Sequence, residues 1–380
     1  MKTRAAVLWE IGGDWSVEDI ELDPPKAGEV LIKMHTAGIC HSDEHLRCGH
    51  MAFPPEWGMP DDTPIIGGHE GSGIVQEVGE GVIDLAPGDH IVFSFVPSCG
   101  RCKWCTTGRS FLCDLGAHLM GGNGQISDFT HRHHHAKADH INTMVLIGSF
   151  AEHTVVNQAS VVKIDPDIPL EAAALVSCGV STGWGSAVER AGVKAGDNVV
   201  VIGIGGIGMN AVQGAAMAGA LRVIAIDPIE WKRDIAKQFG ATHSFASIEE
   251  AMPEVQAMTW GIGAEKVIVC PGDVPGDMVD AALNLTAKAG TCVITGLAPL
   301  SQMDAQLNLF MFSMMNKELK GTVFGSLNPR AAMPELLKLY MAGQLKLDEL
   351  ITNRYTLDNI NQGFKDLHDG KNLRGVITFA

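Results

Sequence analysis

The stretch from Gly38 to His45 combines side chains that bind metal ions with side chains that transfer protons. It reads Gly-Ile-Cys-His-Ser-Asp-Glu-His. The thiol of Cys40 is a soft ligand suited to zinc, which takes sulfur and nitrogen donors tetrahedrally and keeps one position open when it is catalytic. One cysteine cannot hold zinc alone, and His69 and Cys178 are its candidate partners. Taken alone, Cys40 is equally well explained as a buried structural thiol, but the three donors together favour a metal site.

A second group of cysteines forms the sharpest local motif of the chain. Four thiolates with spacings of three, three and eight positions can close around one ion, and such a shell is typical of a structural zinc that contributes folding energy. An iron-sulfur cluster also takes four cysteines and has its own C-x2-C-x2-C pattern. We favour zinc, because the donors around Cys40 also indicate zinc and no proline follows the fourth cysteine. The four are Cys99, Cys102, Cys105 and Cys113.

A glycine-rich motif begins where a buried strand starts at Val199. The strand runs into Gly203-Ile-Gly205-Gly206-Ile207-Gly208, a helix follows, and the next strand ends on Asp227. A lone G-x-G-x-x-G is weak evidence, but this context is that of a dinucleotide fingerprint, with the pyrophosphate at the helix N-terminus. Asp227 should accept hydrogen bonds from the adenosine ribose and repel a 2'-phosphate, which predicts NAD rather than NADP. The alternative is that Asp227 only caps a helix.

The patterns around these motifs predict two domains, as expected for 380 residues. Short strands broken by turns open the chain and predict a β-rich domain. Strands and helices alternate from residue 199 to residue 324, with a helix predicted from Ile248 to Met258 and a last strand from Leu319 to Phe324, which predicts a parallel sheet covered on both faces. The strand Gly375 to Phe379 is expected to pack back on the first domain, so the cofactor domain is an insertion in chain order.

Two segments are predicted to lack regular structure. The prolines and glycine from Phe53 to Asp62 predict a surface loop. Residues 114–148 are predicted to be irregular. They contain a histidine-rich tract, which can bind metal, but we favour a solvated loop. The tract consists of His131, His133, His134, His135 and His140.

Composition narrows the classes of function. The net charge of -16, from 28 basic and 44 acidic residues, argues against nucleic acid as a partner. No apolar run reaches the length of a membrane span, and no export signal is visible, so we expect a cytoplasmic protein without membrane contact. Nine cysteines in such a chain favour metal sites or free thiols over disulfides.

Taken in order, these motifs resemble the zinc-dependent medium-chain alcohol dehydrogenases over the full length. Within that family the chain is most similar to the nicotinoprotein, or nitrosodimethylaniline-dependent, alcohol dehydrogenases, as judged by segments such as Gly183-Trp-Gly-Ser-Ala-Val and Asp369-Gly-Lys-Asn-Leu-Arg-Gly-Val-Ile. The resemblance implies an α/β fold, with a GroES-like β-rich catalytic domain at 1-179 and 326-380. It also implies a Rossmann domain, a doubly wound parallel sheet, at 180-325.

The resemblance also implies roles for single residues. Cys40, His69 and Cys178 would bind the catalytic zinc, one of two zinc ions per chain. Glu70 would lie behind it, and Asp43 would orient His69. Ser42 would take the alcohol proton, and His45 would pass it to solvent by way of the nicotinamide ribose. The residues expected to contact the nucleotide, besides the fingerprint, are His41, Thr182, Lys232, Leu297 and Arg374.

The implied activity is oxidation of primary aliphatic or aryl alcohols to aldehydes, with hydride transfer to NAD. Two modes of NAD use stay open: NAD remains bound to the protein between turnovers, or it exchanges with free NAD. Zinc lowers the pKa of an alcohol hydroxyl, and the nicotinamide accepts the hydride. Phe95, Leu297 and Ser42 are expected to line the substrate pocket. The family also implies a homodimer or homotetramer, formed through the edge strand near Leu307 to Gly321.

Three other functions remain as alternatives. A thiol-dependent formaldehyde dehydrogenase, which oxidises S-hydroxymethyl thiols, shares every zinc and NAD residue and would need a thiol in its assay. A scaffold merely stabilised by zinc and nucleotide would have no use for a proton path through Ser42 and His45. A zinc-free quinone reductase of the same fold would not need Cys40, His69 and Cys178 together.

Overall fold

The computed structural model describes residues 1–52, 63–120, 122 and 124–379. It divides into two compact units, Met1–Cys178 with Asn328–Ala380, and Gly179–Leu327. The predicted loop from Phe53 to Asp62 lies outside the described residues. Within the described ranges, no helix combines the length and apolar character that crossing a bilayer requires.

The strands of both units are numbered in chain order. They are β1 (Lys2–Leu8), β2 (Ser16–Leu22), β3 (Glu29–Ile39), β4 (Ile65–Ile66), β5 (Gly71–Val78), β6 (His90–Phe93), β7 (His133–His135), β8 (Ala138–Thr143), β9 (His153–Asn157), β10 (Val161–Lys163), β11 (Asn198–Ile202), β12 (Arg222–Ile226), β13 (His243–Phe245), β14 (Ala264–Val269), β15 (Thr286–Ile294), β16 (Glu318–Gly321), β17 (Ile351–Tyr355) and β18 (Arg374–Thr378).

The helices are numbered in the same way. They are α1 (His41–Arg47), α2 (Lys103–Thr106), α3 (Leu170–Ala174), α4 (Gly179–Gly185), α5 (Gly206–Met217), α6 (Glu230–Ala236), α7 (Ile248–Met258), α8 (Gly276–Leu285), α9 (Leu309–Met314), α10 (Pro329–Met341) and α11 (Ile360–His368). A π-helical turn spans Ser186–Arg190. The 3₁₀ turns are Ser110–Leu112, Asp114–His118, Met144–Leu146, Gln158–Ser160, Leu175–Ser177, Lys237–Phe239, Phe324–Ser326, Asp348–Leu350 and Leu357–Asn359.

The unit of Met1–Cys178 and Asn328–Ala380 is built on β-sheets. In the described residues, β1, β2, β7, β8 and β4 close into a barrel, and a second sheet has the order β10-β6-β5-β3-β18-β17, with β9 also paired to β3. Alternating apolar side chains of β3 and β5, such as Ile32, Met34 and Val75, enter a core that also contains Phe93 and Phe150. The pairing of β18 with β3 places the C-terminal strand inside this unit.

The unit of Gly179–Leu327 is a parallel sheet with the order β13-β12-β11-β14-β15-β16 in its described part. The chain starts in the middle of the sheet at β11, builds to one edge, and then returns to build the other half from β14. That is the strand order of nucleotide-binding Rossmann folds. The predicted doubly wound parallel sheet is therefore confirmed.

The prediction that residues 114–148 are irregular is wrong in part. The segment contains the antiparallel pair β7 and β8, and β7 extends the barrel by pairing with β2. The histidines hid this pattern because their side chains are polar, yet His133 is buried in the strand. The predicted strand from Leu319 to Phe324 is also shorter, since β16 ends at Gly321.

Candidate functional site

Four side chains from distant parts of the sequence form a buried group of metal-binding atoms. One donor atom from each lies within 4.8 Å of the donor atoms of the others. Their relative exposures are 5 % or less, so water cannot satisfy them. This group, the Cys40 cluster, consists of Cys40, His69, Glu70 and Cys178.

Asp43 fixes the orientation of the His69 ring. Cys40 ends the approach from β3, and α1 begins with the next residue, so Asp43 lies on the first turn of that helix and is fully buried. Its carboxylate oxygens lie 3.4 and 3.3 Å from His69 Nδ1. The same carboxylate accepts a hydrogen bond of 2.8 Å from Gly68 N. Nδ1 is thus held from behind, which leaves Nε2 to face the other donors.

Ser177, the residue before Cys178, contacts Gly71 at the start of β5, the strand that follows Glu70. Its hydroxyl donates to Gly71 O at 2.9 Å and lies 3.2 Å from Gly71 N. Ser177 ends the 3₁₀ turn Leu175–Ser177, and Cys178 caps it. The turn therefore delivers a sulfur atom to the site from a part of the chain more than one hundred residues after His69.

A buried ion pair closes the cluster on the side of β18. Arg374 donates through Nη2 to Glu70 Oε2, and both side chains are at most 5 % exposed. Gly38 on β3 makes room for the pair, because a Cβ there would come within 2.9 Å of Arg374 Nη2. We expected Arg374 to contact the nucleotide pyrophosphate; the structure places its guanidinium against Glu70, and the pyrophosphate contact stays a prediction.

Burial and charge shift the protonation of the whole cluster. Burial raises the pKa of Glu70 to about 7, although the charge of Arg374 opposes this shift. A hydrogen bond from Cys178, together with the nearby His69, lowers the pKa of Cys40 well below its usual value. Burial would lower the pKa of His69, but the charges of Asp43 and Cys40 raise it well above its usual value. The shift of Cys40 favours its thiolate, whereas His69 and Glu70 hold their protons more tightly than usual, so a cation that binds here would displace protons.

Two buried atoms of the Cys40 cluster support a cation directly. In the described structure, His69 Nε2 and Glu70 Oε1 have no hydrogen-bond partner although both are buried, and such orphaned atoms carry a desolvation cost of several kcal/mol unless another ligand satisfies them. Sulfur, nitrogen and carboxylate donors at this spacing suit zinc. The residues present therefore fit a zinc ion.

Ser42 and His45 lie on α1 directly after Cys40. Ser42 Oγ is 3.8 Å from Cys40 Sγ, and the three-residue spacing places His45 on the same helix face as Ser42. His45 is buried, and its Nδ1 lies 2.9 Å from Nδ1 of His50. The contact with His50 was not anticipated, although two histidines five positions apart at the end of a short helix were a visible signal.

The second cysteine group is less buried than the Cys40 cluster, and its sulfur atoms are spaced as they would be around a single metal ion. Sγ of Cys99 is 3.9 Å from Sγ of Cys105, and Sγ of Cys102 is 4.0 Å from Sγ of Cys113. Sulfur atoms about 2.3 Å from a tetrahedral zinc are about 3.8 Å apart, which matches. Sulfur atoms this close leave no room for a multi-iron cluster between them. A hydrogen bond from Cys105 N helps to lower the pKa of Cys102 to about 6.

The glycine-rich turn of the other unit leaves space for a ligand at Gly205. Gly203 has φ 76°, and a Cβ on Gly208 would lie 1.9 Å from Gly203 O, so both positions require glycine for the turn and its packing. Nothing lies within 4 Å of a Cβ built on Gly205, the N-cap residue of α5. The open space at this helix N-terminus fits the pyrophosphate of a dinucleotide.

Asp227 lies at the end of β12, as predicted, and is buried. It accepts hydrogen bonds from Ile204 N at 3.0 Å and from Ile229 N at 2.9 Å, so it ties the glycine-rich turn to the chain that enters α6. Lys232 is also buried, and burial lowers its pKa while the charge of Asp227 opposes that shift.

The other residues expected near ligands have different exposures. Thr182 is buried, and its hydroxyl lacks a hydrogen-bond partner in the described part of the chain, whereas Leu297 is 45 % exposed and His41 is exposed. Phe95 lies edge-on to His69, with the ring centroids 5.8 Å apart. Phe95 and Ser42 are thus the predicted pocket residues that the structure places beside the Cys40 cluster.

The histidines of the predicted solvated loop have separate partners. His131 and His140 stack with centroids 3.9 Å apart, His134 pairs with Asp23 at 3.0 Å, and His135 pairs with Glu18 at 3.2 Å. His133 is buried, and burial lowers its pKa to about 3. The prediction of a solvated loop is wrong for His133–His135, which form β7, and the metal-binding groups found among the described residues do not include this tract.

Comparison with known proteins identifies the family. Residues 26–166 match the alcohol dehydrogenase GroES-like domain, and residues 206–342 match the zinc-binding dehydrogenase domain. The NDMA-dependent alcohol dehydrogenase of Amycolatopsis methanolica is 49 % identical over 377 residues, which cover 99 % of each chain. The chain belongs to the zinc-binding dehydrogenase family.

Other proteins similar to this zinc-binding dehydrogenase support the family assignment. Alcohol dehydrogenase B of Mycobacterium tuberculosis is 48 % identical over 380 residues, which cover 100 % of this chain and 99 % of the relative. The crystal structure of benzyl alcohol dehydrogenase from Acinetobacter calcoaceticus has a TM-score of 0.89 at 28 % identity, over 100 % of both chains. The predicted family and its GroES-like plus Rossmann fold are confirmed, and the two cysteine-containing clusters fit the catalytic and structural zinc sites of this zinc-binding dehydrogenase.

Proposed function

We propose that this zinc-binding dehydrogenase oxidises primary alcohols, aliphatic or aryl, to aldehydes with NAD as the hydride acceptor. The Cys40 cluster is the observation that carries the proposal. Its buried sulfur, nitrogen and carboxylate donors include atoms without a hydrogen-bond partner among the described residues, and the hydroxyl of Ser42 contacts its Cys40 sulfur atom. Two relatives that match the chain over its full length are named alcohol dehydrogenases, and a similar structure is named benzyl alcohol dehydrogenase. These names support the substrate class.

Cys40, His69 and Cys178 would hold the catalytic zinc, with Glu70 and Arg374 behind it. When bound, zinc acts as a Lewis acid that stabilises negative charge on an alcohol oxygen. Asp43 keeps the His69 ring in the orientation that presents Nε2. Arg374 neutralises Glu70, so that the carboxylate does not remain buried and unpaired. Cys99, Cys102, Cys105 and Cys113 would hold the structural zinc.

Ser42 and His45 form the proposed proton path. Ser42 Oγ accepts the proton of the alcohol hydroxyl, since it is the hydroxyl nearest to Cys40 in sequence and contacts its sulfur atom. His45 lies one helical turn further on, and its ring passes the proton toward solvent. A histidine suits this step because its ring can both accept and donate a proton. Phe95, edge-on to His69, excludes water from the side of the cluster where an apolar alcohol body would lie.

NAD would bind at the glycine-rich turn, where Gly205 leaves room for the pyrophosphate and Asp227 would accept hydrogen bonds from the adenosine ribose. The nicotinamide supplies the hydride-accepting carbon. Thr182 and Lys232 are proposed to contact the nicotinamide and the adenosine ribose, respectively. The relative named as NDMA-dependent supports a form of the enzyme in which NAD remains bound through the catalytic cycle.

Turnover of benzyl alcohol by the purified zinc-containing protein tests the proposal. The reaction is run once with added NAD and once with only a nitroso acceptor. Reduction of the nitroso acceptor without added NAD would support a bound nucleotide, whereas turnover only with NAD would support an exchanging one. Turnover with neither, but with formaldehyde and a small thiol, would replace the proposal with the thiol-dependent dehydrogenase.

Two matched cysteine variants separate zinc chemistry from general damage. Cys40→Ser should abolish alcohol oxidation while the circular dichroism spectrum remains native. Cys48→Ser removes an exposed thiol eight residues further along and should retain activity. Full activity in Cys40→Ser would contradict the catalytic zinc assignment.

We also propose that two or more copies associate through the edge of the parallel sheet near β16. Large apolar side chains are exposed before this edge strand, including Met303 at 94 %, Leu309 at 69 % and Phe310 at 71 %. Exposed apolar surface of this kind is typical of interfaces. Sedimentation of the Phe310→Glu variant should show a smaller species than the wild type, and an unchanged size would contradict this interface.

A further inference from the structure

A third group of metal-binding side chains lies at the end of α1, apart from both proposed zinc sites. His45, Cys48 and His50 each offer one donor atom, and all three atoms lie within 4.8 Å of one another. Two nitrogen atoms and one sulfur atom are donors that zinc prefers, and three protein ligands leave a fourth position for water. Calcium and magnesium prefer oxygen ligands, so the donor set selects a transition-metal ion.

The backbone after α1 brings the three side chains together. His45 and Cys48 are three positions apart and lie on one face where the helix ends. Gly49 then adopts φ 83°, which reverses the chain, and a Cβ there would come within 2.8 Å of Ile11 Cγ2. The reversal places the His50 ring against the His45 ring, with centroids 5.2 Å apart.

The two imidazoles are nearly at the separation that an ion would impose. Their Nδ1 atoms are 2.9 Å apart, so a proton lies between two nitrogen atoms. Nitrogen atoms about 2.0–2.1 Å from a tetrahedral zinc are about 3.3 Å apart, and the pair has to open by about 0.4 Å for an ion to replace the proton. Cys48 is exposed, so its sulfur atom meets an incoming ion from solvent.

We infer that His45, Cys48 and His50 form a third cation site, which takes zinc or a chemically similar divalent transition-metal ion. Binding at this site does not depend on the proposed function. A consequence that does rest on the proposed function is inhibition, because an ion on His45 would withdraw its ring from proton transfer. Excess zinc would then slow alcohol oxidation without displacing the ion of the Cys40 cluster.

Metal uptake by the full-length protein tests the site without any turnover. Protein with both zinc clusters filled is dialysed against buffered Zn²⁺, and in parallel against Co²⁺, whose bond to a thiolate gives a charge-transfer absorption band. The wild type should take up one further ion per chain. Loss of a hydrogen-bond partner behind a ligand lowers metal affinity by about 10- to 100-fold. Cys48→Ser and His50→Asn each remove a ligand itself, so each should lower the affinity for the further ion by more than that.

Thiol labelling and a histidine control make the test specific. Zn²⁺ should protect Cys48, the exposed cysteine, from a thiol reagent in the wild type but not in His50→Asn. His368→Asn removes an exposed imidazole at the end of α11 and should retain the further ion. Absence of a further ion in the wild type, or undiminished uptake in both cluster variants, would overturn the site.

Inhibition is measured separately on the alcohol reaction. Over the Zn²⁺ range in which the third ion binds, the wild type should lose activity and Cys48→Ser should not. Uptake of the third ion without loss of activity would confirm the site and remove His45 from the proton path. Failure of the proposed function and failure of the metal site therefore give different results.

Discussion

Asp43 lies behind His69, with carboxylate oxygens 3.4 and 3.3 Å from Nδ1 of the ring. Both side chains are buried. The carboxylate also accepts a hydrogen bond from Gly68 N, so it holds both the backbone just before His69 and the orientation of the His69 ring. A single buried aspartate thus determines which nitrogen of His69 faces the zinc ligands.

Substitution of Asp43 by asparagine should weaken zinc binding at the Cys40 cluster by about 10- to 100-fold. Asparagine keeps the shape but loses the charge that raises the basicity of His69. Zinc retention is measured by competition with a chromophoric chelator, with the four-cysteine site counted separately. Asp139→Asn changes an exposed aspartate in the same unit and should have no effect. Equal retention in both variants would show that the carboxylate does not support the ligand.

Substitution of Asp227 by asparagine should reduce the preference for NAD over NADP. The change removes a negative charge that would repel a 2'-phosphate, and we expect the ratio of the NADPH and NADH dissociation constants to fall by at least about tenfold, or about 1.4 kcal/mol. Tryptophan fluorescence quenching on nucleotide-stripped protein measures both constants. Asp234→Asn, an exposed change on α6, is the control. A ratio that stays the same would remove Asp227 from nucleotide selection.

Burial of His133 should make the protein less stable as the pH falls below neutral. Burial lowers the pKa of this histidine from its usual 6.5 to about 3, so between these two values the unfolded chain binds a proton that the folded chain does not. The free energy of unfolding therefore falls with decreasing pH in this window, by up to about 1.4 kcal/mol per pH unit from this group.

The variant His133→Phe should show a shallower pH dependence than the wild type. Urea unfolding between pH 6.5 and pH 4.5 measures the slope directly. His368→Asn removes an exposed histidine and should keep the wild-type slope. Parallel slopes for His133→Phe and wild type would mean that His133 takes up its proton in the folded state.

The four-cysteine site should stabilise the fold without taking part in the reaction. Cys102→Ser should lose one zinc ion per chain and unfold at a lower temperature, because an ion that binds only the folded chain stabilises it. A strong chelator that extracts this zinc should lower the unfolding temperature of the wild type, but lower it less in Cys102→Ser. Arg101→Ala, an exposed change between Cys99 and Cys102, is the control and should keep the wild-type zinc content. Identical chelator effects in wild type and Cys102→Ser would contradict a structural zinc.

Local sequence signals predicted the nucleotide-binding unit well. Helix α7 was predicted as Ile248 to Met258 and has those bounds, because the Ser247 hydroxyl accepts a hydrogen bond from Glu250 N and the Glu250 carboxylate accepts one from Ala246 N. Such capping residues lie within four positions of each other, so a sequence shows them directly.

Contacts between distant residues could not be predicted in the same way. The pair of Glu70 and Arg374 is separated by 304 positions, and nothing near either residue indicates the other. The strand β7 was missed because its histidines are polar, although His133 is buried and pairs with Leu22 and Ile141 on the neighbouring strands. Helix α9 was also missed, since a run such as Leu309–Met314 is apolar without a helical period.

The place of β18 in the sheet imposes an order on biosynthesis. This strand lies between β3 and β17, and its Arg374 pairs with Glu70 in a buried position, yet it leaves the ribosome some 300 residues after Glu70. The unit of Gly179–Leu327 has all of its strands by then and can fold during translation. The metal-binding unit begins first and is completed second, so nascent chains must carry an unfinished sheet edge and an uncompensated carboxylate until β18 emerges. Chaperone capture of stalled chains should accordingly peak before residue 374 and fall once β18 has left the ribosome.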